Sequence, residues 1–263
     1  MSNDLGKYSA VGPAAPRFVA QQLIMKPYIW SLLTVHLHGM RHLDDVEAPF
    51  IVIANHSSHL DANLIFGALP RRLSRTLSAG VAADYFMTHK LRWIGTRLFY
   101  NAYPIDRGGM KGHRGMSGNL LDEGIPLLIF PEGTRSRTGA MAKFKSGPAG
   151  LSIKHKVPII PVALVGAYAA MPYGAKLPVP GRPDVHVVFG NPQRARGGES
   201  ISEYSERLYR YVVELHDTTA RAYGMPTQSD FHRAVALRKA AALGTTATSP
   251  DAAGSAATDE PDA

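Results

Sequence analysis

The chain has 263 residues, 45% of them hydrophobic and 19% charged, which is ample material for one packed core. Its net charge is +8, and residues 244–263 hold Asp251, Asp259, Glu260 and Asp262 but no Lys or Arg; the body before them carries all 29 basic residues against the 17 acidic ones that remain of 21. Such a body favours anionic partners, whether nucleic acid, acidic lipid headgroups or phosphorylated small molecules, and the absence of cysteine excludes disulfides, thiolate nucleophiles and cysteine-ligated zinc.

Residues 1–15 are small and polar and are expected to be disordered. Met1 to Pro16 has no basic start followed by an apolar core, and Arg17, Gln21, Gln22 and Lys26 interrupt the next stretch, so the start does not read as a signal peptide. The segment 17–33 is largely apolar and predicts a pair of short helices broken at Pro27. It either packs on the core or rests on a membrane surface, with Tyr28 and Trp30 at headgroup depth and Arg17 and Lys26 toward anionic lipid.

Short apolar or β-branched runs then recur at Thr34–His38, Phe50–Ala54, Arg75–Ala82, Ala102–Asp106, Pro126–Phe130, Val157–Val165 and Val185–Phe189. Several are continuous rather than alternating, as in strands covered on both faces. Helical stretches at Leu60–Leu69, Lys111–Asp122 and Ser146–His155 lie between some of them. The alternation predicts an α/β fold: a single layered domain over 16–226, with a largely parallel mixed sheet flanked by helices. The longest uncharged stretch, Val157 to Ala175, contains Pro158, Pro161, Gly166 and Pro172, and reads as a buried strand and loop rather than a membrane span. Ser200 and Glu203 form a capping box ahead of a helix over Ile201–Ala222, whose apolar positions repeat at helical spacing and which Gly224 closes. Residues 227–243 read as an extra helix, centred on Phe231 to Leu243. The small and polar residues of 244–263 predict a disordered tail.

The sharpest chemical feature is Asn55-His56-Ser57-Ser58-His59-Leu60-Asp61, directly after an apolar run. Open α/β sheets place their ligands at the carboxyl ends of strands. A histidine there, with a carboxylate five residues on, predicts a polarised base. Positions i and i+5 of a regular helix lie about 140° apart, so a loop or first helical turn must bring Asp61 under the imidazole. Two other readings stay open: His56 as a cap of the following helix, and His56, His59 and Asp61 as metal ligands, although no fourth partner or HExxH spacing accompanies them.

Phe130-Pro131-Glu132-Gly133-Thr134-Arg135-Ser136-Arg137 also ends an apolar run. Glu132 accepts, Gly133 permits close backbone approach, Thr134 donates or accepts, and Arg135 offers a planar fork for phosphate; the alternative is a charged surface turn. Tyr103-Pro104-Ile105-Asp106-Arg107 places Arg107 at a third strand end, and Val157 to Leu164 reads as core with a strand entry shaped by its prolines. No Gly-x-Ser-x-Gly elbow, Walker A or Gly-x-Gly-x-x-Gly pattern is present, and the basic residues form no nucleic-acid motif with interleaved aromatics.

In this order the four segments resemble the glycerolipid acyltransferase family, in particular its bacterial PlsC-type 1-acylglycerol-3-phosphate acyltransferases. The resemblance rests on His56/Asp61, Asp106/Arg107, Phe130–Ser136 and Val157–Pro161, and covers about residues 30–192. It implies a glycerolipid acyltransferase-like fold and transfer of a fatty acyl group from acyl-CoA or acyl-carrier protein to a lysophospholipid hydroxyl. It also implies His56 as general base, Asp61 as its orienting group, and Arg107, Glu132, Gly133, Thr134 and Arg135 as contacts to the acceptor's glycerol and phosphate. No cofactor or metal is expected, because a thioester is already activated. The implied setting is cytoplasmic and peripheral on the inner face of the cell membrane, with no nucleic-acid partner. Many PlsC-type members carry Lys-Lys-Glu-Leu before the Asp-Arg block, whereas this chain reads Ala82-Ala83-Asp84-Tyr85-Phe86-Met87. That departure leaves another lysophospholipid or a glycolipid open as the acceptor, and a hydrolytic or lipid-binding relative as the alternative function.

Overall fold

The computed structural model describes residues 16–82, 99–105 and 115–246. Seven strands form one sheet: β1 Thr34–His38, β2 Ile51–Ala54, β3 Ser78–Ala82, β4 Tyr103–Ile105, β5 Leu127–Ile129, β6 Ile159–Val165 and β7 Asp184–Phe189, in the order β1-β7-β6-β2-β5-β3-β4. Every neighbouring pair is parallel except β6 with β7, so the β7–β1 pair runs against the other five strands. The predicted mixed and largely parallel sheet is present. The continuous apolar runs have the expected cause, because β2, β5 and β6 are buried at every position.

Alternate residues of the strands feed two cores. Val52, Ala54, Ile160, Val162 and Phe189 point to one side, covered by α1 (Lys26–Leu32) and α2 (Asp61–Ala68). Ile51, Ile53, Leu127, Ile129 and Ile159 point to the other, with Leu120 of α4 (Met116–Asp122), Ala149 of α5 (Gly147–His155) and Leu208 and Val212 of α7 (Ile201–Ala222). Two single-turn helices, α3 (Arg71–Ser74) and α6 (Ala167–Ala170), complete the connections. The run predicted as a strand from Arg75 begins instead at Ser78, because Arg75 caps α3 with its amide on Arg71 O.

Pro27 does not break the N-terminal helix. A π-helical turn, Val19–Met25, passes directly into α1, and Pro27 sits in the first turn of the new segment, where a missing N–H costs little. Val19, Leu23, Ile24 and Tyr28 are exposed, whereas Arg17 is buried and so does not face outward as the lipid-facing reading required. Among the described residues no helix is long and apolar enough to cross a membrane. The capping box of α7 forms as expected, with Ser200 Oγ accepting from Glu203 N and Glu203 accepting from Ser200 N. The extra helix α8 runs over Gln228–Thr246, starting before Phe231 and reaching three residues into the stretch expected to be a disordered tail. Residues 1–15 and 247–263, on which the other disorder expectations fall, lie outside the described residues.

Candidate active site

Where β2 ends, Asn55 fixes the direction of the chain. Its side-chain amide donates to Leu164 O (3.0 Å) and accepts from Leu164 N (2.8 Å), lashing the strand end to β6. The chain then loops through His56 to Leu60, and α2 starts at Asp61. His56 therefore lies off the helix, and the i to i+5 mismatch disappears. Asp61 Oδ2 accepts from His56 Nδ1 (2.8 Å) and from the amides of Ser57 (2.7 Å) and Ser58 (2.8 Å). Asp61 is fully buried. Because Nδ1 donates to the carboxylate, Nε2 is the lone-pair nitrogen of a ring that is 21% exposed and lines a cavity. The Phe130 ring stacks on the imidazole at 4.0 Å and 17°. Asp61 Oδ1 is buried without a hydrogen-bond partner, so a positive charge on His56 would be felt strongly.

The turn after β5 grips the main chain of His56 at both ends. Glu132 Oε1 accepts from His56 N (2.6 Å), and Ser136 N donates to His56 O (2.7 Å). The other oxygen of Glu132 accepts from Ala142 N (2.9 Å). Glu132 thus stands behind the histidine, buried, and is not among the residues lining the cavity. Each carboxylate oxygen of Glu132 thus serves one backbone amide, which gives the residue a supporting role beside the acceptor contact that the family resemblance implies. Burial pushes its carboxyl up to about 7, against the lowering effect of those two amides.

Gly133, Thr134 and Arg135 do reach the cavity. Gly133 holds φ +81° and its amide closes a turn on Phe130 O (3.0 Å). A Cβ there would lie 2.6 Å from Lys145 Nζ, so the glycine lets the lysine lie across the turn. Arg135 and Arg137 each sit 5.2 Å from the Tyr173 ring. Burial, and then the charges of Arg135 and His56, hold His59 below its ordinary value. The cavity measures about 1260 Å³. Its polar lining is dominated by His56, His59, Arg135, Arg137 and Lys145, and its apolar lining includes Val81 (β3), Ile105 (β4), Ile129 (β5) and Leu151 (α5). Among the described residues no group of three or more His, Cys, Asp or Glu side chains is placed to hold a metal ion.

Arg107 and its neighbour Asp106 lie outside the described residues. The Val157–Pro161 block acts as structure: Pro158 O accepts from Ile51 N (3.0 Å), and Pro161 O from Gly190 N (2.8 Å) at the end of the β7 ladder. Lys145 and Tyr173 are among the cavity residues that escaped sequence reasoning. Lys145 lies eight residues beyond the end of the Arg-rich turn at Arg137 with no motif around it, and Tyr173 sits after the buried strand in a stretch that reads as loop.

The acyltransferase family model matches residues 34–165. A 1-acyl-sn-glycerol-3-phosphate acyltransferase of Chlamydomonas reinhardtii is 31% identical over 144 residues, which cover 53% of this chain and 41% of that protein. The 1-acyl-sn-glycerol-3-phosphate acyltransferase alpha of Mus musculus is 29% identical over 154 residues, covering 54% and 48%. This chain therefore spans about half the length of the curated relatives it matches. The crystal structure of the 1-acyl-sn-glycerophosphate (LPA) acyltransferase PlsC from Thermotoga maritima superposes with a TM-score of 0.59 at 25% identity, over 73% of this chain and 75% of that one. A family match that spans β1 to β6, and with them His56, Asp61 and the Glu-Gly-Thr-Arg turn, makes this chain a member of the acyltransferase family.

Proposed function

We propose that the protein moves a fatty acyl group from acyl-CoA or acyl-carrier protein to the free hydroxyl of a lysophospholipid, with 1-acylglycerol-3-phosphate as the leading acceptor, in phospholipid biosynthesis. The observation that carries this reading is the 2.8 Å bond from His56 Nδ1 to Asp61 Oδ2 on the wall of a large cavity, in a chain of the acyltransferase family. The names of the relatives supply the acceptor.

In this mechanism His56 Nε2 removes the hydroxyl proton as the acceptor oxygen attacks the thioester carbonyl carbon. The imidazolium so formed is stabilised by the buried Asp61 carboxylate. The tetrahedral adduct collapses, the C–S bond breaks, and the proton on Nε2 passes to the departing thiolate. A thioester is activated before it arrives, so neither a cofactor nor a covalent acyl-enzyme is needed. Arg135 and Lys145, with Arg137 beside them, supply the cationic lining that an acceptor phosphate requires, and Arg107 remains the further phosphate contact that the family resemblance implies. The apolar residues from β3, β4, β5 and α5 suit an acyl chain. The exposed Val19, Leu23, Ile24 and Tyr28 support peripheral docking on the inner face of the membrane, where a lysophospholipid acceptor resides.

The test is thiol release from acyl-CoA by the purified protein, with and without lysophosphatidic acid, and with the products of a lysolipid panel identified by mass spectrometry. Release that depends on the lipid, with a diacyl product, supports transfer. Equal release without any lipid makes the protein a hydrolase, and a product only with another lysolipid moves the acceptor assignment.

A further inference from the structure

Beyond the cavity, one buried polar cluster is fully engaged and has no part in the chemistry just described. His216 and Asp217 near the end of α7 meet Gln228, the first residue of α8, and all three are buried. His216 Nδ1 donates to Asp217 Oδ1 (2.9 Å), and that same oxygen accepts from Gln228 N (2.7 Å). Burial pushes the Asp217 carboxyl up, but these two bonds together with the charges of His216 and Arg221 hold it below its ordinary value. With Nδ1 as donor, His216 Nε2 is an acceptor, and Gln228 Nε2 lies 3.2 Å from it. This fixes which way the Gln228 amide points. Its Nε2 also faces Gly139 O (3.5 Å), and its Oε1 accepts from Met141 N (2.7 Å). A flipped amide would set NH₂ against the Met141 N–H, so one orientation alone satisfies every group.

The residue after Met141 is Ala142, whose amide donates to Glu132, and Glu132 in turn accepts from His56 N. A run of hydrogen bonds therefore joins the start of α8 to the main chain of the base. Side-chain packing reinforces it. Gly139, at φ +84°, lies flat against Phe231 of α8, where a Cβ would come within 2.6 Å of Cε1, and Phe231 packs edge-on against Tyr168 and His216. Gln228 lies some sixty residues beyond the stretch 34–165 that matches the family model.

We infer that Gln228 is a positioning residue for acyl transfer: oriented by the His216–Asp217 pair, it latches the 139–142 segment and through Glu132 fixes where His56 sits. The inference rests on the proposed function for its kinetic arm only. Its chemistry is that of a rigid second support, since a general base misplaced by a fraction of an ångström loses rate without losing affinity.

The experiment compares the full-length wild type with Gln228→Met, which keeps the volume of the side chain and removes both hydrogen-bonding atoms. Amide exchange over 139–142 is followed by mass spectrometry, and thiol release gives kcat and KM per folded molecule. The latch predicts at least tenfold faster exchange at 139–142 with the β2, β5 and β6 peptides unchanged. It also predicts kcat at least tenfold lower, with KM for acyl-CoA and lysolipid within twofold. Unchanged exchange at 139–142, or kcat within twofold of wild type, overturns it. So does faster exchange across the whole sheet with kcat per folded molecule preserved, because that is a purely structural role. Should Gln228→Met not fold, Gln228→Glu keeps the acceptor for Met141 N and loses the donor to Gly139 and His216. At least a threefold fall in kcat is then expected, and wild-type kcat overturns the inference. Leu237→Ala, on an exposed part of α8, is the control and should match wild type. A wild type that transfers no acyl group refutes the functional reading by itself, and the exchange arm still decides whether the latch exists.

Discussion

Glu132→Gln separates two roles for the buried acid of the Glu-Gly-Thr-Arg turn. Its carboxylate accepts two backbone amides, from His56 and Ala142, and is set behind the residues that line the cavity. Glutamine offers one carbonyl oxygen, so one of those amides must face an NH₂ group, at a cost of about 1–3 kcal/mol for a buried unsatisfied donor. The pH dependence carries a second signature. Glu132 moves from an ordinary 4.5 to about 7 on folding. Below 4.5 both states hold the proton and nothing is lost. Between 4.5 and 7 the folded state holds a proton the unfolded state has released, so the unfolding free energy falls as pH rises; at about 1.4 kcal/mol per pH unit, about 3 kcal/mol is gone by pH 7. Urea titrations between pH 4.5 and 8 should show wild-type stability falling by this amount relative to Glu132→Gln, since the histidines held below their ordinary values, His186 among them, contribute the opposite slope to both proteins alike. In thiol-release kinetics the variant should lose about 10- to 100-fold in kcat with acceptor KM within twofold, because the base moves while the phosphate contacts stay. An acceptor KM raised tenfold with kcat intact, or an unaltered pH slope, would refute the reasoning and return Glu132 to the acceptor site.

Asp61→Asn keeps a group able to accept from Ser57 and Ser58 but removes the charge beside the imidazolium. An ion pair of this kind is worth about 4 kcal/mol at an effective dielectric of about 20, so kcat should fall about 10³-fold, and a fall below tenfold in steady-state assays contradicts the orienting role. Arg135→Ala should raise the apparent KM for a phosphate-bearing acceptor at least tenfold with little change in kcat, and Arg107→Ala should do the same. Unchanged acceptor KM in both variants would remove the phosphate assignment. Gly133→Ala places a side chain at φ +81° and against Lys145, and should destabilise the fold by about 1–2 kcal/mol in urea denaturation; a stability equal to wild type would show that the turn is not held there.

Strand and helix order were readable in the residues because β2, β5 and β6 are covered on both faces, and continuous burial leaves continuous apolar runs. The pairing of His56 with Asp61 was readable as a need, since a helix could not bring them together; what met the need, a helix starting at Asp61 itself, is a local matter that spacing alone allowed but did not require. The supporting role of Glu132 was not legible in the residues for a physical reason. A charged residue in a turn looks like a ligand contact, and only the fold reveals that two backbone amides, one from 76 residues away, claim both its oxygens. Lys145 and Tyr173 join the cavity through tertiary approach, which leaves no trace in local pattern. Pro27 looked like a break because proline interrupts an α-helical ladder, yet the π-helical turn before it places it in the first turn of a new α-helical segment.

The most direct measurement is mass-spectrometric detection of the diacyl product when purified protein meets one acyl-CoA and lysophosphatidic acid, with His56→Ala run beside it and its fold verified by circular dichroism. If His56 is the base, the wild type forms product and the folded variant forms at least a thousandfold less. A folded His56→Ala protein that keeps its rate to within tenfold would contradict the account.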